Sequence, residues 1–338
     1  MPKTSNGKFI VSLDFEMAWG VRISGMRDSY APNIANVREV IPRLIDLFGE
    51  FGIHATFATV GMLFFSGKAD LLENLPDLRP RYKSPGLSPY DGYIDGIDGG
   101  MEHCFFAPDL IRSIAAAGHD VGCHTFSHYY CLEEGQTAND FADDIRAAAR
   151  VMERECPAPA SFVFPRNMVN PNYLKILSEA GIASYRGNPS HAFFETSGRG
   201  LMKHPQILRL VRLIDSYISV SGDNCTAIGD IGKARPYNIP ASRFLRPYSR
   251  RLQAFERLRL RRIKKSMTNA ARNGMIYHLW WHPHNFGANM NENLAALRTI
   301  LEHYKLLRGE YSFQSCSMRE LSEMLDTRQG GTGGCDNA

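Results

Sequence analysis

The hydrophobic and polar positions of this chain form two alternating patterns. Short apolar, β-prone runs occur over residues 9–13, 53–60, 161–164, 182–185 and 275–281. Between them, apolar residues recur at helical spacing over 37–51, 108–117, 139–155 and 172–180. Alternation of this kind is typical of βαβ units, whose buried strands are near-continuous hydrophobic runs. The pattern therefore predicts an α/β fold around a parallel sheet.

Residues 66–107 interrupt this alternation, because they are rich in Gly, Pro and Asp and lack periodicity. Long loops without secondary structure are often lids or binding loops, so we expect an insertion of that kind here. The chain has no internal repeat. We therefore predict a single catalytic domain over 1–328 and a Gly-rich, disordered tail over 329–338.

Two histidines, His124 and His128, follow a short apolar segment that ends at Cys123. On a helix, positions i and i+4 lie on one face, so the two imidazoles could bind one metal ion. The end of a strand is also where (β/α) barrels carry their chemistry. The alternative is a chance pair whose ring nitrogens are satisfied by hydrogen bonds.

Two carboxylates, Asp14 and Glu16, end the first predicted strand. Side chains alternate along a strand, so both point to the same side. Their mutual repulsion calls for a nearby cation, which a divalent metal ion would supply. The alternative is a solvated strand end with ordinary surface acids.

The strand predicted over 275–281 ends in a third cluster of polar and aromatic residues. His278, Trp280 and His282 share one face under strand alternation, and His284 follows closely. A histidine at a strand end can donate a proton to a leaving group. The alternative is core packing followed by a turn at Pro283.

An arginine, Arg166, follows the strand predicted over 161–164. Its guanidinium could hold a catalytic carboxylate ionised through charge and bidentate hydrogen bonds. The alternative is a surface arginine after a turn proline.

The order of these segments resembles the polysaccharide deacetylase (NodB-homology) family of metal-dependent carbohydrate esterases. The matching motifs are Ser-Leu-Asp-Phe-Glu at 12–16, Ala-Thr-Phe-Ala-Thr-Val-Gly at 55–61, His-Thr-Phe-Ser-His at 124–128, Phe-Pro-Arg-Asn at 164–167 and Leu-Trp-Trp-His at 279–282. The resemblance implies a distorted parallel (β/α) barrel with seven or eight strands and a hydrolytic deacetylase site.

The same resemblance assigns roles to individual residues. It implies that Asp14 is the general base, that His124 and His128 bind the metal, that Arg166 orients the base and that His282 is the general acid. The family's first motif usually carries two adjacent aspartates, but Phe15 stands at the second position here. We predict Glu16 as the third ligand, because it shares a strand face with Asp14 and has the longer reach.

The ion that this ligand set favours most is Zn²⁺, and Mn, Fe, Co or Ni would also be accepted. Six further residues are predicted to contact the substrate or to support the site, namely Trp19, Asn167, Asp215, Trp281, His284 and Asn285. Asp215 is the candidate for an aspartate that the family usually carries in an Asp…Trp motif.

The composition fits an enzyme that acts on small or carrier-linked substrates. The chain has 338 residues, 44% of them hydrophobic, and a net charge of +4, which is too mild to indicate nucleic acid binding. Seven scattered cysteines without a Cys-x-x-Cys motif indicate neither a disulfide framework nor a cysteine zinc site. The sequence shows no signal peptide, so we expect a cytoplasmic protein, possible substrates being nucleotide- or lipid-linked precursors.

One basic segment, over 243–265, stands out from this mild charge. It holds ten Lys or Arg residues and a single acid, Glu256, with apolar residues at roughly helical spacing. Such a segment could contact anionic lipid or a diphosphate group, or be a solvated outer helix of the barrel.

The residues therefore predict a metal-dependent hydrolase that removes an acyl group from a sugar during surface-polysaccharide assembly. Two alternatives stay open. One is a metal-free amidohydrolase of the allantoinase kind, and the other is a carbohydrate-binding relative without catalytic activity.

Overall fold

A sheet of parallel strands forms the centre of the computed structural model, which describes residues 6–22, 30–189 and 205–331. The strands are β1 (Lys8–Phe15), β2 (Ala55–Thr59), β3 (Asp120–Cys123), β4 (Ser161–Val163), β5 (Ser184–Arg186), β6 (Thr226–Ala227), β7 (Tyr237–Asn238), β8 (Arg243–Phe244), β9 (Met275–Trp281) and β10 (Gln314–Ser315). The predicted α/β class is confirmed.

The strand order explains how distant parts of the chain meet. The main path of the sheet runs β6-β9-β1-β2-β3-β4-β5-β7, while β10 pairs with β1 and β8 pairs with β9. Every pair is parallel except β6 with β9. The sheet curls into an open half barrel, as the predicted distorted (β/α) barrel requires. The carboxyl ends of the parallel strands therefore meet at one rim.

Helices cover the outside of this sheet. They are α1 (Ala18–Val21), α2 (Ala31–Ala35), α3 (Val37–Phe51), α4 (Lys68–Leu72), α5 (Pro108–Ala116), α6 (Ala138–Met152), α7 (Leu174–Glu179), α8 (Pro205–Tyr217), α9 (Glu256–Arg272), α10 (Met290–Tyr311) and α11 (Met318–Gly331).

The boundaries of α3 match the sequence prediction because its signals are local. Val40, Leu44 and Phe48 recur on one buried face. The helix ends where Gly52 adopts a left-handed conformation with a φ of 64°, which glycine does without a steric penalty. A repeating apolar face and a terminal glycine were sufficient to predict this helix.

The predicted insertion over 66–107 is ordered and packs onto the core, so it does not form an open lid. It contains α4 and many turns, and its side chains pack onto the core. The Tyr93 hydroxyl donates a 2.9 Å hydrogen bond to the Ala18 carbonyl, and the Trp19 indole donates one of 2.8 Å to the Phe105 carbonyl. The insertion therefore fixes the segment that follows β1.

Two other predicted boundaries change. Residues 329–331 of the predicted tail continue α11, and residues 332–338 lie outside the described part of the chain. The basic segment over 243–265 is divided between β8, an irregular turn and the first part of α9. Among the described residues, no helix is both long and apolar enough to cross a bilayer.

Candidate active site

The two histidines lie in a loop after β3 and not on a helix, so that part of the prediction was wrong. Thr125 and His128 have positive φ angles of 63° and 54°, which a helix does not contain. Asp144 of α6 holds the bend, because its carboxylate accepts the main-chain N–H groups of Phe126 and Ser127 at 2.6 and 3.2 Å. The loop brings the rings together, with centroids 5.1 Å apart.

Hydrogen bonds orient both imidazoles toward the same point. His124 donates its Nδ1 hydrogen to the Val163 carbonyl at 2.8 Å, which leaves the Nε2 lone pair available. The His128 Nδ1 lies 3.3 Å from the Tyr130 hydroxyl and 3.5 Å from the Arg22 guanidinium. Both Nε2 atoms face Glu16 Oε2, at 3.3 Å from His124 and 2.9 Å from His128. The Val163 carbonyl therefore fixes the tautomer of His124, as partners of metal-binding histidines do.

Glu16, His124 and His128 each offer a ligand atom within 4.8 Å of the others, and all three side chains are buried. Burial alone would raise the pKa of Glu16, but His282 and His128 lower it well below its usual range. Burial lowers the pKa of His128 to about 4, so its ring is neutral at neutral pH. An ionised carboxylate with neutral imidazole is the protonation state that metal binding needs.

The His128 Nε2 atom tests whether a metal ion fits this site. It is buried without a hydrogen-bond partner of suitable direction, although Glu16 Oε2 lies only 2.9 Å away. Leaving a buried polar nitrogen unsatisfied is unfavourable. A cation between these atoms would satisfy it, and one carboxylate with two imidazoles suits Zn²⁺ and several other divalent transition metals. The residues therefore fit a metal ion.

A glycine next to Glu16 makes its position possible. A Cβ atom at Gly20 would overlap the Glu16 carboxylate. We expect Gly20→Ala to displace that carboxylate and to weaken metal affinity by roughly 10–100-fold, as loss of a supporting contact does. The measurement is a metal titration of the purified variant. Gly49→Ala in α3 is the control, because a Cβ atom there meets nothing within 4 Å and its metal affinity should be unchanged.

Arg186, the last residue of β5, holds Asp14. Its guanidinium donates two hydrogen bonds to the Asp14 carboxylate, of 2.6 Å to Oδ1 and 2.8 Å to Oδ2. Both side chains are almost fully buried. Burial raises the pKa of Asp14, but the charge of Arg186, with smaller contributions from His124 and His282, lowers it overall. Asp14 is therefore ionised in the site.

The predicted partner of Asp14, Arg166, is elsewhere. Its guanidinium lies 3.3 Å from Glu133, stacks over the Tyr130 ring and is 46% exposed. The role of orienting Asp14 belongs to Arg186, which the sequence analysis missed. The available signal was an arginine at the carboxyl end of a short strand, followed by a glycine.

A network beneath Asp14 fixes Arg186. Its Nη1 also donates to the Ser12 hydroxyl at 3.0 Å, and that hydroxyl lies 2.8 Å from His278 Nε2. The Asn167 side-chain oxygen accepts from Nη2 at 2.9 Å. Asn167 was predicted to contact substrate, and the structure has it line the mouth of the site while it holds the arginine.

His282 lies on the other side of the two carboxylates. Its Nε2 is 3.7 Å from Asp14 Oδ2 and 3.5 Å from Glu16 Oε1. The Asn285 amide oxygen lies 3.3 Å from Nδ1, and His284 stacks on the ring at 4.9 Å. The predicted residues His284 and Asn285 therefore position His282, although both also line the site cavity.

The structure corrects two predicted substrate contacts. Trp19 and Trp281 are completely buried, Trp19 under the insertion and Trp281 against Phe48 and Phe286. Strand alternation turns Trp280, the neighbour of Trp281, toward the rim, where its ring stacks 4.1 Å from the Arg186 guanidinium. The alternation of side chains along this strand had already placed Trp280 on the same face as His282.

Asp215 of α8 also differs from its prediction. Its carboxylate is buried and pairs with Arg262 at 3.0 Å and Arg243 at 3.3 Å, and it accepts two hydrogen bonds from Ser221. Asp215 lines a cavity beside the site. Because both carboxylate oxygens already accept hydrogen bonds, Asp215 positions Arg243 and Arg262.

Two neighbouring cavities with shared lining residues open onto these side chains. One of about 320 Å³ contains Asp14, Glu16, His128 and His282. A second, of about 290 Å³, extends toward α8. Both are lined by Arg166, Asn167, Phe244 and His282. A substrate could therefore react in the first cavity while another part of it occupies the second.

Residues 28–185 match a family model described as polysaccharide deacetylase. The matched segment contains His124 and His128, whereas Asp14, Glu16 and His282 lie outside it and reach the site through the fold. No curated protein matches the chain.

Solved structures share this fold. A Mycobacterium smegmatis protein assigned to the polysaccharide deacetylases has a TM-score of 0.56 and 14% identity, covering 97% of this chain and 93% of that one. A Pseudomonas aeruginosa protein with the same assignment has a TM-score of 0.53 and 11% identity, covering 96% and 92%. An allantoinase has a TM-score of 0.54 and 13% identity, covering 96% and 91%. At these identities the likeness concerns the fold.

Proposed function

We propose that this chain, of which residues 28–185 match the polysaccharide deacetylase family model, is a metal-dependent hydrolase of N-acylated sugars. The family supports a deacetylase that acts on an amide bond. The finer proposal concerns the substrate, an acylated sugar on a nucleotide or lipid carrier used in surface-polysaccharide assembly. The mild net charge of +4, which does not indicate a nucleic acid substrate, motivates that choice.

One observation carries the proposal most strongly. Glu16, His124 and His128 direct three ligand atoms to one point, and an ionised Asp14 and the His282 ring flank that point. A divalent metal ion held there would polarise the acyl carbonyl and activate a water molecule. In this proposal Asp14 is the base and His282 is the acid beside that ion.

The two flanking groups have separate tasks in this proposal. Asp14 accepts a proton from the attacking water, and the bidentate contact with Arg186 keeps its carboxylate in place. His282 gives a proton to the departing sugar amine from Nε2, since Asn285 engages its Nδ1. The amide C–N bond breaks as the water oxygen bonds to the acyl carbon, and the products are a carboxylic acid and a free amine.

Replacing either flanking group should slow hydrolysis while the metal stays bound. We expect Asp14→Asn and His282→Ala each to lower kcat by roughly 10²–10⁴-fold, which is the usual contribution of a positioned acid or base. The assay measures acid and amine release from N-acetylated and N-formylated amino sugars, with metal content determined on the same samples. Unchanged turnover in either metal-loaded variant would contradict the assigned roles.

The alternatives give different results in the same assay. A metal-free amidohydrolase would retain activity after chelation. A binding protein without catalytic activity would retain sugars but release neither acid nor amine.

A further inference from the structure

The second cavity beside the site is strongly basic on one side. Arg212, Arg243 and Arg246 line it, and Asp215 is the one carboxylate lining it within the described ranges 6–22, 30–189 and 205–331. Asp215 is shared by Arg243 and a second arginine behind it, Arg262. Two guanidinium groups therefore share one carboxylate, and the cavity keeps a net positive charge.

Arg246 adds to this charge. Among the residues that the structure describes, no carboxylate lies within ion-pair distance of its guanidinium, whose Nε donates a long 3.4 Å hydrogen bond to the Ser216 hydroxyl. Burial lowers the pKa of Arg246, but arginine stays protonated in proteins. Its guanidinium is partly removed from water, carries a positive charge and presents its N–H donors in one plane. This arrangement matches the geometry of a phosphate group.

The cavity is placed to hold the part of a substrate that adjoins the reacting sugar. It shares Asn167 and His282 with the metal-site cavity. Between the two, the rings of Phe244 and Trp280 lie 4.8 Å apart and provide an apolar platform. A sugar over these rings would present its acyl group to His282 and its anomeric substituent to the arginines.

The outer surface next to the cavity is unusual because it exposes large apolar side chains. Seven of the eleven such residues found among the described parts of the chain lie here, so the exposure is concentrated and not scattered. They are Ile207, Leu210, Ile214, Ile218 and Val220 on and after α8, together with Phe255 and Leu258 at the start of α9. We call this set the α8–α9 face.

The α8–α9 face is continuous in space. The Tyr217 ring packs 6.1 Å from Phe255, and the Ile218 carbonyl accepts a 2.7 Å hydrogen bond from Arg262. Amphipathic helices normally turn their apolar stripe inward, whereas Leu210 and Ile214 are 55% and 43% exposed. Apolar patches of this kind mark interaction sites.

The charge of the neighbouring side chains indicates what kind of surface binds to the α8–α9 face. Exposed basic side chains flank it along the chain, at Arg209 on α8 and at Arg250 and Arg251 before α9, while Arg257, Arg261 and Lys265 line the groove between α9 and α10. Glu256 at the start of α9 is paired with Arg259, and Asp215 of α8 is buried and paired with Arg243 and Arg262. Apolar side chains among exposed Lys and Arg are the pattern of helices that lie in the interface of an anionic bilayer.

Resting on the proposed function, we infer that the α8–α9 face lies on an anionic membrane and that the adjoining arginine cavity binds the phosphate of a sugar carried in that membrane. The sugar reaches the metal site across the Phe244–Trp280 platform. Of the two carrier classes, this selects the lipid-linked one.

Vesicle binding tests the membrane part. The probes are vesicles of phosphatidylcholine alone and of phosphatidylcholine with about one-third phosphatidylglycerol, followed by flotation of the full chain. We expect at least tenfold stronger binding to the anionic vesicles, weakened by salt. The double variant Leu210→Asp, Ile214→Asp should bind the anionic vesicles at least tenfold more weakly than the wild type. Leu306→Asp, at an even more exposed leucine on α10, should bind these vesicles as the wild type does.

Phosphate binding tests the cavity. Inorganic pyrophosphate should bind the wild type, and Arg246→Gln should bind at least tenfold more weakly, whereas Arg112→Gln at an exposed position on α5 should match the wild type. Pyrophosphate binding without vesicle binding, or self-association through Leu210 and Ile214, would overturn the membrane assignment. Equal pyrophosphate affinity of wild type and Arg246→Gln would overturn the cavity assignment.

Metal content and hydrolysis of a water-soluble N-acyl sugar need neither vesicles nor pyrophosphate. If both are lost while vesicle binding persists, the proposed function has failed and not this inference.

Discussion

Glu16→Ala and His124→Ala should each yield protein without bound metal and without measurable deacylation, while the wild type binds about one divalent ion per chain. Each substitution removes one of three buried ligand atoms that converge within 4.8 Å. Two remaining donors hold an ion far more weakly than three. Plasma mass spectrometry of the purified proteins measures the metal, and release of free amine measures the reaction.

The controls for this experiment are residues of the same types outside the site. Glu39→Ala removes a glutamate on α3 that is paired with Arg43, and His103→Ala removes an exposed histidine. Both should keep wild-type metal content. Metal lost in His124→Ala alone would mean that Glu16 is not a ligand. A wild type that binds no metal even after reconstitution would favour the metal-free or binding-protein alternatives.

The second large effect is expected at Arg186. Arg186→Gln leaves the Asp14 carboxylate buried without its cation, and loss of one partner of a buried ion pair lowers the free energy of unfolding by roughly 3–5 kcal/mol. We also expect kcat/KM to fall by about 10²-fold, since small misplacements of a catalytic group have effects of this size. Thermal unfolding and steady-state kinetics measure the two losses.

A second variant separates folding from catalysis. Arg186→Lys keeps a charge but cannot form the bidentate contact, so it should fold while kcat/KM remains low. Arg166→Gln, at the position that the sequence motif had indicated, should lower kcat/KM only a few-fold. A larger loss in Arg166→Gln than in Arg186→Lys would contradict the contacts of Asp14.

The pH profile adds a readout that general destabilisation would not produce. The charge of Arg186 lowers the pKa of Asp14 against the effect of burial. Weakening that contact raises the pKa, so Asp14 becomes protonated at a higher pH. The acid limb of kcat/KM should therefore move to higher pH in Arg186→Lys relative to the wild type.

Sequence patterns predicted the fold because its signals are local. Apolar runs indicated the strands, and helical spacing with a terminal glycine indicated α3. The family resemblance and the α/β barrel are confirmed. The ligand set and the catalytic roles stay predictions, although the convergence of Glu16, His124 and His128 agrees with them.

The failures arose where a contact depends on how the sheet curls. Arg166 follows β4 and Arg186 ends β5, both at the same rim, and sequence order could not tell which guanidinium reaches Asp14. The spacing of His124 and His128 fits a helix as well as it fits a bent loop, and the choice depends on Asp144, which lies in a later helix. Trp281 was preferred to Trp280, although alternation along β9 already distinguished them.

The pairing of β9 with β1 has a consequence for how the protein is made. Glu16, His124 and His128 leave the ribosome before β9 and His282, and β9 must then insert beside β1. Pairing between segments so distant in sequence is slow to form. The nascent chain therefore carries the three proposed metal ligands before it carries the proposed acid. If those roles hold, the ion binds before catalysis begins during the maturation of this protein.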